Sequence, residues 1–282
     1  MYEELNLDLQ SFAKRVYDSI LYQSTFYNFL NPNYIGTLRQ TGAPVIEVAK
    51  TTPLSVNVRQ TKEIQNRLNP ALTTYSHVMV DLTELNMDYS IRVPMMVAGS
   101  DITNAIQDAA DLEDSAIAKQ IDTYGYGKLA ANTSIVEVQW APANAEGYVT
   151  ALNNLRATLF NKDITGDYRL GLGATEYANY VSALTSVLKY ETLQGREGVD
   201  MGIIARAYGI DAFEINDNVL EDAVGYFFNP IAVVGDTFFS AFVQHNSPQG
   251  YPGYLVLEGT QSFGAEVVRP EAIIRLVEEI SG

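Results

Sequence analysis

Between Ile102 and Tyr124 apolar residues recur three or four apart: Ile102, Ile106, Ala109, Leu112, Ala116, Ile117, Ile121 and Tyr124. That spacing lines one stripe of a helix. It predicts a helix from Ile102 to Lys128, ~40 Å long at ~1.5 Å per residue. Ser100 or Asp101 stands where a short oxygen-bearing side chain can cap the free amides of its first turn. Ahead of the helix the period changes to two. Val78, Val80 and Leu82 share one phase and Leu85, Met87, Tyr89, Ile91 and Val93 the other. A turn or bulge at residues 83–85 is therefore expected, within a long hairpin that feeds the helix.

The rest of the chain alternates between the two periods. Residues 4–30 carry Leu7, Phe12, Val16, Ile20, Leu21 and Phe26 at helical spacing, end in the aromatic cluster TFYNFL, and stop at Asn31-Pro32-Asn33. Residues 37–60 read as extended, with too few apolar positions to build a core of their own. After Gly127 come a short strand, helices around Tyr148–Leu159 and Tyr177–Val187, and a strand at Tyr168–Leu172 between them. A loop at Gly195–Asp200, a turn at Gly209 and a strand through Ala212, Phe213 and Ile215 follow. Strands are expected at Ala223–Val234 and Phe238–Gln244, and a last alternating strand turns at Gly264 and ends at Pro270. There is no internal repeat and no low-complexity linker.

Composition narrows the class. With 282 residues, 47% of them hydrophobic and 18% charged, the chain is an ordered protein of about two domains. No apolar run approaches the ~20 residues of a membrane span. The start lacks the apolar core of a secretion signal, so folding in the cytoplasm is expected. Zero cysteines exclude disulfides and thiolate chemistry. A net charge of −16 argues against a nucleic-acid-binding surface of the usual basic kind. The charge is uneven: residues 1–100 carry −1 and residues 101–282 carry −15, while residues 39–67 hold five basic against two acidic residues. A basic segment on an acidic chain invites contact between copies, and a solvated hairpin explains it equally well.

The search for catalytic chemistry returns little. His77 and His245 are the only histidines, neither has a Ser or Cys partner in sequence, and the structural reading is preferred for both. Tyr124-Gly125-Tyr126-Gly127-Lys128 comes after a helix rather than before one, so it reads as a helix stop and not a phosphate cradle. Gly171-Leu172-Gly173-Ala174-Thr175-Glu176 lacks a third glycine and reads as a plain strand-to-helix turn. Asp108, Asp111, Glu113, Asp114 and Asp122 make the long helix acidic, but their order fits no calcium loop. A solvated or interface-facing role is preferred to an active site, and no metal or cofactor is expected. Eighteen tyrosines and eleven phenylalanines suit either contacts between copies or ordinary cores.

The order of these elements resembles the major capsid protein of tailed bacteriophages, whose fold is named after phage Hong Kong 97. Ala43–Lys50 is similar to the first strand of that family's extended loop, Tyr75–Pro94 to the returning strand pair, and Asp101–Lys128, with Ile121-Asp122 near its end, to its spine helix. Tyr168-Arg169-Leu170 with Thr175-Glu176-Tyr177 resembles an apical strand and helix start, although Ala174-Thr175 replaces the usual Ser-Pro. Tyr208–Phe213 with Asn216 and Asn218 resembles the turn that follows, and Phe263–Ala272 the C-terminal strand.

The resemblance implies an α+β capsid fold. Its parts would be an N-terminal arm (1–36), an extended β-hairpin loop (37–74), a peripheral domain with the spine helix (75–140 and 245–282) and an apical α/β domain (141–244). It implies hexamers and pentamers forming an icosahedral or prolate shell around double-stranded DNA, without enzymatic activity, cofactor or membrane. Scaffolding, portal and decoration proteins would be partners, and the shell would be assembled in the host bacterial cytoplasm. Arg59, Lys62 and Arg67 of the loop would then lie on Asp108, Asp111 and Asp114 of a neighbouring spine helix. The alternatives are an encapsulin-like nanocompartment shell and a soluble α/β enzyme or binding protein using the spine carboxylates.

Overall fold

Helical spacing becomes one continuous 30-residue helix, α1, at Ile102–Ala131. The computed structural model describes residues 23–35, 44–51, 75–94, 102–185, 205–207, 209–246 and 253–278. In chain order the other elements are β1 (Val45–Thr51), β2 (Tyr75–Asp81), β3 (Leu85–Pro94), β4 (Val136–Gln139), α2 (Ala145–Phe160), β5 (Tyr168–Gly173) and α3 (Ala174–Thr185). There follow β6 (Ala205–Ala207), β7 (Ile210–Ile215), β8 (Ala223–Phe228), β9 (Val233–Asn246), β10 (Tyr254–Val267) and β11 (Ile273–Val277). Among the described residues no helix is long and apolar enough to cross a membrane.

The strands form three sheets: a β1–β2 ribbon, a three-stranded antiparallel sheet in the order β3-β10-β9, and a six-stranded mixed sheet in the order β4-β11-β8-β5-β7-β6. β4 and β11, on the peripheral side of the expected cuts at 140/141 and 244/245, hydrogen-bond into the sheet that also carries β5, β7 and β8. In α2, Tyr148, Leu152, Leu155 and Leu159 are buried at helical spacing, and Asn144 caps the first turn by accepting from the Gly147 amide at 2.9 Å. One large core joins α1, both larger sheets, α2 and α3; a small satellite core of Val48, Val80, Leu82, Val234 and Val268 holds the ribbon. Tyr27, Tyr89, Tyr126, Tyr148, Tyr168, Tyr177, Tyr180 and Tyr226 are all buried within the subunit, so for these eight the core explanation of the tyrosine content holds.

Four expectations from the sequence are corrected. The expected hairpin is absent, because β2 pairs with β1 and β3 with β10. The phase change is a corner at which the chain leaves one sheet for another, fixed by Asp81 Oδ1 accepting from the Thr83 amide and hydroxyl at 2.8 and 2.7 Å. Gly125 and Gly127 lie inside α1, which continues to Ala131 instead of stopping. A Cβ at Gly125 would overlap the Phe26 ring, whereas one at Gly127 would meet nothing within 4 Å. Gly264 is mid-strand rather than at a turn; β10 passes so close under the Asp81–Leu82 corner that only a bare Cα fits. The break expected after Val234 falls earlier, at Asn229-Pro230, since proline at the start of a 3₁₀ turn cannot donate to a ladder.

Candidate functional site

Of the residues the resemblance points to, Arg59, Lys62 and Arg67 lie outside the described residues. So do the side chains of Asp108, Asp111 and Asp114, whose backbone is in the first half of α1. The second half of α1 is where the polar chemistry of the described subunit concentrates. Two of its side chains, Asp122 and Lys128, each hold distant segments of chain to the helix.

Asp122 is 8% exposed and has no basic side chain among its hydrogen-bond partners. It accepts from Ser24 Oγ (2.6 Å), the Thr25 amide (3.2 Å), Thr25 Oγ1 (2.9 Å) and the Phe26 amide (2.9 Å). Burial pushes this carboxyl above the usual carboxylate range, against the pull of those donors. The expected helix through residue 30 does not continue here. The chain bends at Ser24–Thr25 and makes only a 3₁₀ turn at Phe26–Phe29, because Asp122 holds the Thr25 and Phe26 amides. An acid read from sequence as solvated or interface-facing is thus a buried acceptor for the N-terminal segment.

The segment it holds is almost wholly apolar where it meets the core. Phe26, Phe29 and Leu30 are 1%, 0% and 1% exposed, and burying each such side chain is worth about 1.5–3 kcal/mol. Phe29 stacks on Phe228 at 3.7 Å between centroids and meets Tyr126, Phe213 and Tyr226 edge-on, while Phe26 meets Tyr126 and Phe263 in the same way. Tyr126 lies opposite Thr25 Oγ1 at 3.0 Å, and burial beside Asp122 pushes its hydroxyl well above the ordinary tyrosine range. Farther along, Arg169 Nη1 on β5 donates to the Asn28 carbonyl at 2.6 Å, Tyr27 donates to Thr237 Oγ1 on β9, and Leu30 bridges Val233. Residues 24–31 therefore join α1 to both larger sheets.

Lys128, about one and two-thirds turns along, works at the surface. Its ammonium donates to Glu84 Oε2 at 2.5 Å, Glu266 Oε2 at 2.9 Å and the Ala265 carbonyl at 2.9 Å, and lies 5.3 Å from the Tyr124 ring centre. Tyr124 also donates to Glu84. Burial alone would raise the Glu84 carboxyl, but the hydrogen bonds from Lys128 and Tyr124 outweigh it and the net direction is down. Burial and the bond to Glu84 push the Tyr124 hydroxyl up to about 12. Burial works to lower the Lys128 ammonium, yet its bonds to Glu84 and Glu266 carry it upward. Since Glu84 stands at the corner between β2 and β3, Lys128 ties the base of the ribbon to α1 and β10.

Elsewhere, Trp140 Nε1 and the Tyr148 hydroxyl both donate to Glu176 Oε1 at 2.8 Å, locking α2 to the first turn of α3. His77 Nδ1 pairs with Glu47 Oε1 at 2.8 Å across the ribbon, both half-exposed. Among the described residues no three His, Cys, Asp or Glu side chains gather as metal ligands. Gly173 leads directly into α3, a strand-to-helix junction as expected, with Asp217 filling the place of a Cβ.

No protein-family model and no curated protein sequence matches the chain. Solved structures do. The capsid of the cyanophage P-SCSP1u superposes with a TM-score of 0.60 at 13% identity, over 85% of this chain and 84% of that one. The chain has the Hong Kong 97 capsid fold of tailed phages. A protein of Mycobacterium phage Bobi has this fold in common with it (TM-score 0.59, 11% identity, 92% and 91% covered), as does a virus-like particle from Pyrococcus furiosus (0.56, 12%, 93% and 96%). At such identities the likeness resides in the arrangement of elements. In the capsid fold α1 is the spine helix, to which Asp122 and Lys128 fasten distant segments of this chain.

Proposed function

We propose that this protein is the major subunit of a shell: it self-assembles as hexamers and pentamers into an icosahedral or prolate capsid enclosing the double-stranded DNA of a tailed phage. The observation that supports this reading best is the two-way coverage of the capsid structures, which leaves no room for a separate catalytic module of similar size. We read its role as structural rather than enzymatic, as the capsid neighbours suggest. The acidic balance of the chain suits a container for nucleic acid, since like charge keeps the packaged polymer from adhering. We assign residues 141–244 to the apical unit and residues 75–140 with 245–282 to the peripheral unit, whose β4 and β11 complete the six-stranded sheet. Scaffolding, portal and decoration proteins are the partners such a shell needs.

Arg59, Lys62 and Arg67 lie against Asp108, Asp111 and Asp114 of a neighbouring copy, and reversing the three basic residues to Glu should abolish shells while leaving the circular dichroism of the subunit unchanged. Normal shells from the triple variant would refute it. The principal test is electron microscopy of particles purified from cells expressing the chain with its assembly factors. Closed shells with nuclease-protected DNA are expected. The likeness to the Pyrococcus furiosus particle favours one second reading, a nanocompartment, whose shells would instead contain protein and no protected DNA.

A further inference from the structure

We propose that Ser24–Asn31 is a detachable plug seated in a peptide-binding groove between α1 and the two larger sheets, so that whatever precedes residue 24 is held to the subunit by a releasable anchor.

Three observations carry it. First, the plug takes no part in either ladder: among the described residues its backbone-to-backbone link to a sheet is the bridge Leu30–Val233 with the adjoining Asn31 amide to the Val233 carbonyl, so both sheets keep their strand pairing without it. Second, the hydrogen bonds that seat it come from groups 96 or more residues away in sequence: Asp122 for Ser24, Thr25 and Phe26, Arg169 for Asn28, and Thr237 for Tyr27. Third, the groove is shaped for an aromatic peptide. Gly125 leaves helix backbone bare beneath the Phe26 ring, and Phe228 offers Phe29 a parallel face. The ligand class is a short segment with two hydroxyl residues followed by aromatic rings three apart, the Ser-Thr-Phe-Tyr-Asn-Phe pattern of residues 24–29. Asp122 reads the hydroxyls and amides, and Tyr126 with Phe228 and Phe263 receives the rings.

The test separates plug from body in the folded full-length chain. A protease site is placed between Gly36 and Gly42 and cut after folding. The N-terminal fragment should co-elute with the body, then exchange for a labelled peptide of residues 24–31 while amides of β5, β8 and β10 keep their protection from hydrogen exchange. A peptide carrying Phe29→Ala should exchange in at least tenfold more weakly. In the uncut chain, the Phe26 and Leu30 amides should exchange through an opening that is less denaturant-dependent than that of β8. Loss of β8 protection as the fragment leaves, a Phe29→Ala peptide as effective as the native one, or identical denaturant dependence for plug and β8 would each overturn the proposal.

Discussion

Asp122 and Lys128 stand six residues apart on one helix and fasten chain to it by opposite physics. Asp122 is a buried carboxyl held by neutral donors, whereas Lys128 is a cation whose side chain is 24% exposed, facing two carboxylates that are themselves 45% and 41% exposed. Opposite charges in reach of water gain little from each other, since solvent and salt screen them and can replace either partner. A buried acceptor has no such replacement. Removing it strands every donor that it served, and each stranded group costs its full desolvation. The buried contact therefore dominates the stability, and the ion pairs serve mainly to set the position of the β2–β3 corner.

The comparison can be broken most severely at Asp122. Asp122→Ala should cost on the order of 3 kcal/mol, because the buried Ser24 hydroxyl and Phe26 amide lose their acceptor, as does the half-buried Thr25; the midpoint of urea unfolding checks it, and a loss below that of Lys128→Met would reverse the ranking. Next comes Gly125→Ala, expected to cost about 2 kcal/mol by forcing the Phe26 ring from its seat, although the same change in a free helix is stabilising. Lys128→Met should cost about 1 kcal/mol in dilute buffer and less in 0.5 M salt, with Asp122→Ala insensitive to the same salt. Gly127→Ala, with open space around its new methyl, should gain up to about 1 kcal/mol.

Acid separates the two contacts with the smallest effect. Asp122 has its folded-state pKa raised, so its contribution is greatest below the unfolded value of about 4 and declines as pH rises through the folded value. Glu84 has its pKa lowered, so its contribution is present above about 4.3 and is lost as pH falls through the folded value. Between pH 6 and 3 the two slopes oppose each other. Asp122→Asn should leave a steeper loss of stability on acidification, and Lys128→Met a shallower one. Parallel pH profiles for the two variants would show that one of the assignments is wrong.

Local periodicity made the helices legible: α1, α2 and α3 all announce themselves at three- and four-residue spacing, and β5 and β7 through their apolar runs. Pairing was not legible, because the partner of β3 is β10, far along the chain, and nothing in Leu85–Pro94 names it. Glycine misled twice for one reason. Gly125 and Gly264 look like breaks in a sequence, but each is small because something remote comes close, Phe26 in one case and the Asp81 carbonyl in the other. Asp122 was visible as an acid on the long helix, yet its burial depends on donors at Ser24–Phe26 that only the fold brings to it. The cluster TFYNFL, set after Ser24, was the available signal: four aromatic or leucine side chains in six residues need a place to be buried.

The strand order of the six-stranded sheet has a consequence for the timing of synthesis. β11 sits inside that sheet, between β4 and β8, so Val136 waits for Ile274 to leave the ribosome before it has a neighbour. At about 5–20 residues per second the wait of β4 is on the order of ten seconds, and β8, made later, exposes its open edge for the last part of it. The plug must wait as well, because Phe263 is made late. Closure of the subunit is thus deferred until β11 has emerged, and until then the unpaired edges stay open to pairing with any other chain nearby.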